Sequence, residues 1–182
     1  MKITIFGGAE ITPESAPYQE AYALGKGLAT AGHTVLTGGY MGAMEGVSRG
    51  ANETGGHVIG VTCADIEAWR DIKPNPWVQE EMRCITLRER LNTLIDNCDA
   101  AIALPGGPGT LAEVSLLWNL MLIDATQIKP LILVGPGWRA VFDEFFNVFD
   151  PYMPGDQRNL LLFVPSVEAA IELLSTPEND IR

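Results

Sequence analysis

The chain has 182 residues, 47% hydrophobic and 19% charged, a balance that excludes a disordered or fibrous protein and fits one domain with a substantial core. Twenty-three acidic against twelve basic side chains give a net charge of −11 and an isoelectric point near 4.5. That argues against a general binder of nucleic acid or of a membrane surface, because both partners call for basic patches. One small anionic ligand is still admissible, provided that placed N–H donors and an Arg or Lys receive it.

The first strand-like run is residues 2–6, with no charged n-region or apolar h-region before it. No later apolar run approaches membrane-spanning length, so the expectation is a cytoplasmic protein. Gly7-Gly8 follows the run. A helical stretch over 16–31 stops at Gly32, a strand covers 34–37, and Gly38-Gly39 with Gly42 leads into a helix over 42–54 that ends at Gly55-Gly56. A strand over 57–62 comes next. The approach to the following helical stretch, 77–97, is crowded by Pro74 and Pro76. The remaining elements are a strand over 100–104, a helix over 110–124, a strand over 130–134, a helix over 138–150, a weaker strand over 160–163 and a helix over 167–174, with a frayed tail from Pro177 to Arg182. Short β-branched runs alternating with helical patterns predict an α/β fold: a Rossmann-like three-layer αβα arrangement with a mostly parallel central sheet. The whole of 1–182 is expected to form a single nucleotide-binding domain of this kind. Cys63, Cys84 and Cys98 are odd in number and form no Cys-x-x-Cys pair, which speaks for small buried hydrophobes rather than a disulfide or zinc scaffold. His33 and His57 precede strand-like runs without metal or triad partners nearby and read as turn or strand-edge residues.

Three glycine clusters sit at strand ends, where ligands of open α/β sheets bind. Gly7-Gly8, Gly38-Gly39 with Gly42, and Gly106-Gly107 with Gly109 each let the backbone turn sharply and approach a ligand closely. The third cluster is the most informative. The run Ala101-Ile102-Ala103-Leu104 enters Pro105-Gly106-Gly107-Pro108-Gly109-Thr110, and the amides of Gly106, Gly107, Gly109 and Thr110 can converge on an anion at a helix N-terminus. Pro108 stiffens the loop without donating. Thr110 can add its hydroxyl to a phosphate oxygen, cap the helix, or do both. The loop lacks the Gly-Lys-Ser/Thr ending of a Walker A loop and the G-x-G-x-x-G dinucleotide spacing.

Glu113 lies about one turn beyond Thr110. It is either a first-turn glutamate complementing the helix dipole or, beside an anion cradle, a chemical group. Arg90 borders an apolar stripe of Leu87, Leu91, Leu94, Ile95 and Cys98 at helical spacing. Such an arginine either snorkels into a salt bridge or reaches a ligand at the sheet edge, where its guanidinium suits phosphate or ribose hydroxyls.

Arg90, the run 99–104 and Pro105-Gly106-Gly107-Pro108-Gly109-Thr110-x-x-Glu113 together resemble the Lonely Guy (LOG) family, often mislabelled as lysine decarboxylases. The resemblance extends through Tyr18-Gln19-Glu20-Ala21, residues 38–44 and residues 55–61, so it covers roughly 2–150. It implies a Rossmann-like fold, a homodimer, and hydrolysis of cytokinin riboside 5′-monophosphates, or of nucleotides such as AMP, to free base and ribose 5-phosphate. By the same resemblance, Gly106, Gly107, Gly109 and Thr110 bind the 5′-phosphate, and Arg90 and Glu113 are the catalytic pair. Gly7, Gly8, Gly39, Met44 and Glu81 (or Glu80) are possible substrate contacts. No cofactor or metal is implied. The chain departs from the family pattern at Leu91, where a Lys is usual, at Gly7-Gly8-Ala9 in place of Gly-Ser-Ser, and at Glu45, where Gly is common.

The expected chemistry is cleavage of an N-glycosidic bond through an oxocarbenium-like transition state, with Glu113 stabilising positive charge or orienting water and Arg90 fixing the ribose phosphate. The alternative is a non-enzymatic carrier or sensor of a nucleotide or of molybdenum cofactor on the same fold. Lysine decarboxylation needs a Schiff-base lysine, and neither Lys129 nor Lys2, Lys26 or Lys73 has a supporting context. Leu116, Leu117, Trp118, Leu120 and Met121 supply either core or dimer interface.

Overall fold

A computed structural model describes residues 1–153 and 155–175. Seven strands form one sheet: β1 (Lys2–Phe6), β2 (Thr34–Thr37), β3 (Val58–Cys63), β4 (Glu80–Cys84), β5 (Ala100–Ala103), β6 (Leu131–Val134) and β7 (Leu161–Val164). Their spatial order is β4-β3-β2-β1-β5-β6-β7, and every pairing is parallel. Parallel strands require crossovers, and helices supply them: α1 (Ala16–Thr30), α2 (Ala43–Glu53), α3 (Ala64–Trp69), α4 (Leu87–Asp96), α5 (Pro108–Leu122), α6 (Pro136–Val148), α7 (Gly155–Arg158) and α8 (Val167–Ser175). The result is the expected three-layer α/β sandwich.

Alternate residues of the central strands feed two cores. Ile3, Ile5, Val35 and Ile102 pack under α1, α2 and α8 with Leu24, Val47 and Ala170. Phe6, Leu36, Val61, Ala101 and Ala103 pack under α4, α5 and α6 with Leu94, Leu117 and Phe142. Buried on both faces, these strands read as continuous apolar runs. Gly32 (φ +78°) and Gly55 (φ +82°) end α1 and α2 in the left-handed conformation. The Gly56 amide closes the second end on the Ala51 carbonyl.

Three stretches differ from the sequence expectation. The single helix expected over 77–97 is a strand, β4, followed by α4. Glu80-Glu81-Met82-Arg83-Cys84 is an edge strand whose two glutamates and Arg83 are exposed while Met82 and Cys84 turn towards the core, so its period-2 pattern is masked by charge, as edge strands commonly are. The break to α4 is set by Thr86 and Glu89, whose side chains form a reciprocal capping box. The short helices α3 and α7 were not expected. The expected frayed tail, from Pro177 on, lies outside the described residues.

Candidate functional site

β1 is paired with β2 on one side and β5 on the other. The chain therefore winds outwards through β2, β3 and β4, then returns to β5 and winds the other way, which makes the β1–β5 boundary the topological switch point. The three glycine turns follow β2, β1 and β5, three adjacent strands. They are stitched together: the Gly8 amide donates to the Pro105 carbonyl at 3.1 Å, and the Gly8 carbonyl accepts from the Ala43 amide at 2.9 Å.

The third turn opens α5 at Gly107, which precedes Pro108, so the helix begins two residues before Thr110. Thr110 is the third helical residue rather than its cap. The first intrahelical pairing of a loop amide is Leu111 to the Gly107 carbonyl. The amides of Gly107, Gly109 and Thr110 precede it and have no intrahelical acceptor. Residues 105–109 are exposed. A Cβ on Gly106 would lie 2.2 Å from Thr110 Oγ1 and 3.0 Å from the Gly8 amide nitrogen, so only glycine lets this hydroxyl and the Gly8 turn close on the loop.

Beneath the loop the structure brings Arg90 and Glu113 together, from α4 and α5. Both are buried, at 5% and 9% exposure, and Arg90 Nη1 is 3.8 Å from Glu113 Oε1. That is an ion pair without hydrogen-bond contact. Arg90 is held from the sheet side. Its Nε donates to the Val61 carbonyl (2.8 Å), its Nη2 donates to the Gly38 carbonyl (3.2 Å) and approaches Met44 Sδ (3.7 Å), and its guanidinium lies 5.8 Å from the centre of the Tyr40 ring. Nη1 is left facing Glu113. Burial pushes the Glu113 carboxyl up to about 7, against the opposing pull of Arg90, because desolvation disfavours the charged form. A carboxyl that ionises close to neutral pH, beside a guanidinium and a row of helix amides, is in its ionised form suited to stabilising a cationic centre on an anionic ligand.

The other expected contacts are distributed as follows. Met44 touches Arg90. Gly7 is packed between Ala43 and Leu104, where a Cβ would meet the Ala43 Cβ at 2.7 Å. The Gly39 amide donates to Thr37 Oγ1, and its carbonyl accepts from both the amide and the side chain of Asn75. Gly39 and Gly8 thus have their backbone polar groups committed within the protein. Glu81 lies on the edge strand, where it accepts from Thr62 Oγ1 at 2.5 Å and lies 3.7 Å from Arg83. The structure does not bring it to the Arg90–Glu113 pair.

Three residues support the pair in ways the sequence did not assign: Gly38 and Tyr40 stood there only as members of the second glycine turn, and Asn75 stood nowhere. A Cβ on Gly38 would stand 1.8 Å from Arg90 Nη2, so this glycine makes room for the guanidinium. Tyr40 stacks beside it. Asn75, buried between Pro74 and Pro76, donates to the Gly39 and Tyr40 carbonyls and straps the segment after α3 over the second glycine turn. A cleft of about 640 Å³ opens between that strap, Tyr40 and the first turn of α2. A larger hollow of about 1050 Å³ against β7 shares no residue with this site, and its Arg139 and Arg158 are paired with Asp143 and Asp150. Among the described residues no cluster of three or more His, Cys, Asp or Glu is arranged to hold a metal.

The chain is similar to several known proteins. The pyrimidine/purine nucleotide 5′-monophosphate nucleosidase of Escherichia coli K12 is 30% identical over 162 residues, which span 83% of this chain and 34% of that longer enzyme. The rice cytokinin riboside 5′-monophosphate phosphoribohydrolase LOG is 30% identical over 178 residues, 91% of this chain and 70% of that one. Among solved structures, the molybdenum cofactor binding protein of Rippkaea orientalis superposes with a TM-score of 0.74 at 28% identity, covering 96% of this chain and 94% of the other. A model of the SLOG cluster4 family matches residues 1–125, the span that contains the glycine turns, Arg90 and Glu113: the chain belongs to the LOG-type SLOG cluster4 family.

Proposed function

We propose that the chain is a nucleoside 5′-monophosphate phosphoribohydrolase, cleaving the N-glycosidic bond of AMP or a cytokinin riboside 5′-monophosphate to free base and ribose 5-phosphate. The observation that carries this is the buried Arg90–Glu113 pair set one turn below the open amides at the start of α5. In this reading the amides of Gly106, Gly107, Gly109 and Thr110, with the Thr110 hydroxyl, take the 5′-phosphate. Arg90 Nη1 holds the ribose phosphate against Glu113. The ionised Glu113 stabilises positive charge developing at the ribose as the bond to the base lengthens, or orients the water that attacks it. Gly7, Gly8 and Gly39 shape the crevice, and Met44 lines it. The protein acts as a homodimer on a small nucleotide in the cytoplasm and has no nucleic-acid or membrane partner.

Purified protein incubated with AMP, CMP and isopentenyladenine riboside monophosphate should release free base, measured chromatographically, and Glu113→Gln should not. Base release at the wild-type rate by both Arg90→Ala and Glu113→Ala would remove the assigned roles. A second reading, a non-enzymatic carrier of molybdenum cofactor or a nucleotide, is favoured by the likeness to the Rippkaea protein over nearly the whole length of both chains. Tight binding with no base released from any nucleotide would select it.

A further inference from the structure

We infer that Glu45 selects the ligand's heterocycle, accepting a hydrogen bond from an exocyclic amino group and disfavouring bases that carry an oxo group there. The inference rests on the nucleotide reading above and concerns the cleft beside the Arg90–Glu113 pair. Tyr40 belongs to both places: its ring lies 5.8 Å from the Arg90 guanidinium, and the residue is one of those that line the 640 Å³ cleft. A ligand that places its phosphate on the start of α5 and its ribose at Arg90 therefore has this cleft as the adjoining space for its base.

Ile72, Pro74, Pro76 and Tyr40 give the cleft apolar wall, and Glu45, in the first turn of α2, gives it a carboxylate; Asp71 and Lys73, both exposed, add one charge of each sign from the strap. That carboxylate is fixed. The hydroxyl of Tyr18, a residue 1% exposed, donates to Glu45 Oε1 at 2.9 Å. Among the described residues, Oε2 makes no hydrogen bond and Glu45 makes no ion pair. Arg49, one turn further along α2, pairs with Glu53 at 2.9 Å, and Arg70 on the cleft wall is engaged with Glu10. An ionised carboxylate only accepts hydrogen bonds. Held in place with one oxygen unfilled, it rewards an N–H donor and repels the lone pairs of a carbonyl. Discrimination of this kind is strong because the wrong ligand leaves a desolvated polar group without a partner.

The test uses the full chain and two pairs of 5′-monophosphates that differ by amino against oxo, AMP with IMP and CMP with UMP, in calorimetric binding and in base release. The wild type should favour the amino member of each pair by about 10-fold in Kd. Glu45→Gln, which still accepts from Tyr18 but also offers an amide donor, should bring each pair to near parity. Tyr18→Phe, which frees the carboxylate to move, should weaken selection while retaining its sign. Equal selectivity in wild type and Glu45→Gln overturns the inference, as does a wild-type preference for the oxo bases. Selective binding with no base release removes the hydrolase reading and leaves the role of Glu45 standing. Failure of all four nucleotides to bind removes both.

Discussion

At the scale of single residues, the buried pair makes two demands on experiment. Glu113 titrates near 7 in the folded chain and near the ordinary glutamate value, about 4.3, when unfolded. Below pH 4 both states are protonated and the group is neutral to stability. As the pH rises towards 7 the unfolded chain releases this proton while the folded chain keeps it, so stability falls across that window and levels off above it. Glu113→Gln should abolish that slope and make the protein more stable at pH 8 by on the order of 3 kcal/mol, read by denaturant unfolding at pH 5 and 8; an unchanged slope would mean that Glu113 is not held protonated. Catalysis runs the other way. Because the ionised form does the proposed chemistry, kcat/KM should rise with pH to a plateau above about 7. Arg90→Ala leaves a buried carboxyl without its opposing charge. It should cost about 3–5 kcal/mol of stability at pH 8, less at pH 5 where Glu113 is protonated, and at least about 100-fold in kcat/KM. Both residues were legible in the sequence, Arg90 as a charge beside an apolar stripe and Glu113 as an acid beside an anion cradle. What the spacing left open was whether they meet. Their contact spans two helices separated by β5, and it depends on Gly38 leaving room that no local pattern announces.

At the scale of elements, helices α4 and α5 carry the charged pair and glycine turns make the room around it. Gly38→Ala places a methyl group on the Arg90 guanidinium, and a rigid neighbour at 1.8 Å leaves the arginine no course but to move. The variant should lose activity about as far as Arg90→Ala, with a lowered Tm. Gly106→Ala instead collides with the Thr110 hydroxyl, so its loss should appear as weaker inhibition by inorganic phosphate with the Arg90–Glu113 pair intact. Its signature is a raised KM with the pH profile of kcat unchanged, and a shifted pH profile would refute that separation. Six of the seven strands are evident from sequence because each is a short apolar run flanked by glycine, proline or polar turn residues. β4 is not. Its charged outer residues imitate the exposed face of a helix, and the helical period of Leu87, Leu91 and Leu94 carries that reading backwards across the Thr86 capping box. Asn75 was hidden for a related reason: flanked by prolines, it reads as an obstacle to a helix, whereas in the fold it is the strap on the second glycine turn.

At the scale of the whole molecule, α5 joins the site to the outer surface. One side of it is core: Val114, Leu117 and Met121 are buried to within 1%, and Trp118 meets Phe142 and Phe146 edge to face. This settles one half of the apolar segment that the sequence left open. Leu116 and Leu120 are half-buried and pack against the same core, while Leu111 is 43% exposed and Ile123 63%, giving the helix an apolar outer flank near its two ends, interrupted by Ser115 and Asn119. An apolar flank of this kind is a frequent mark of a protein contact, and in the homodimer proposed above its occupant would be a second copy of the chain. A stable dimer needs roughly 800 Å² buried on each partner, more than one helix flank supplies, so a dimer contact would have to draw on further exposed apolar side chains, of which Ile85 and Leu87, 71% and 44% exposed around the start of α4, are two. Both α4 and α5 carry a member of the Arg90–Glu113 pair, so dimerisation and catalysis should be coupled. Sedimentation at micromolar concentration should give a mass near twice 19.7 kDa. Ile123→Glu, at the end of α5 far from the glycine loop, should shift the protein towards monomer and reduce base release per chain in proportion to the monomer formed. A monomeric wild type of full activity would refute the coupling. A variant that becomes monomeric yet stays fully active would confine the role of the α5 flank to assembly and leave the site complete within one chain.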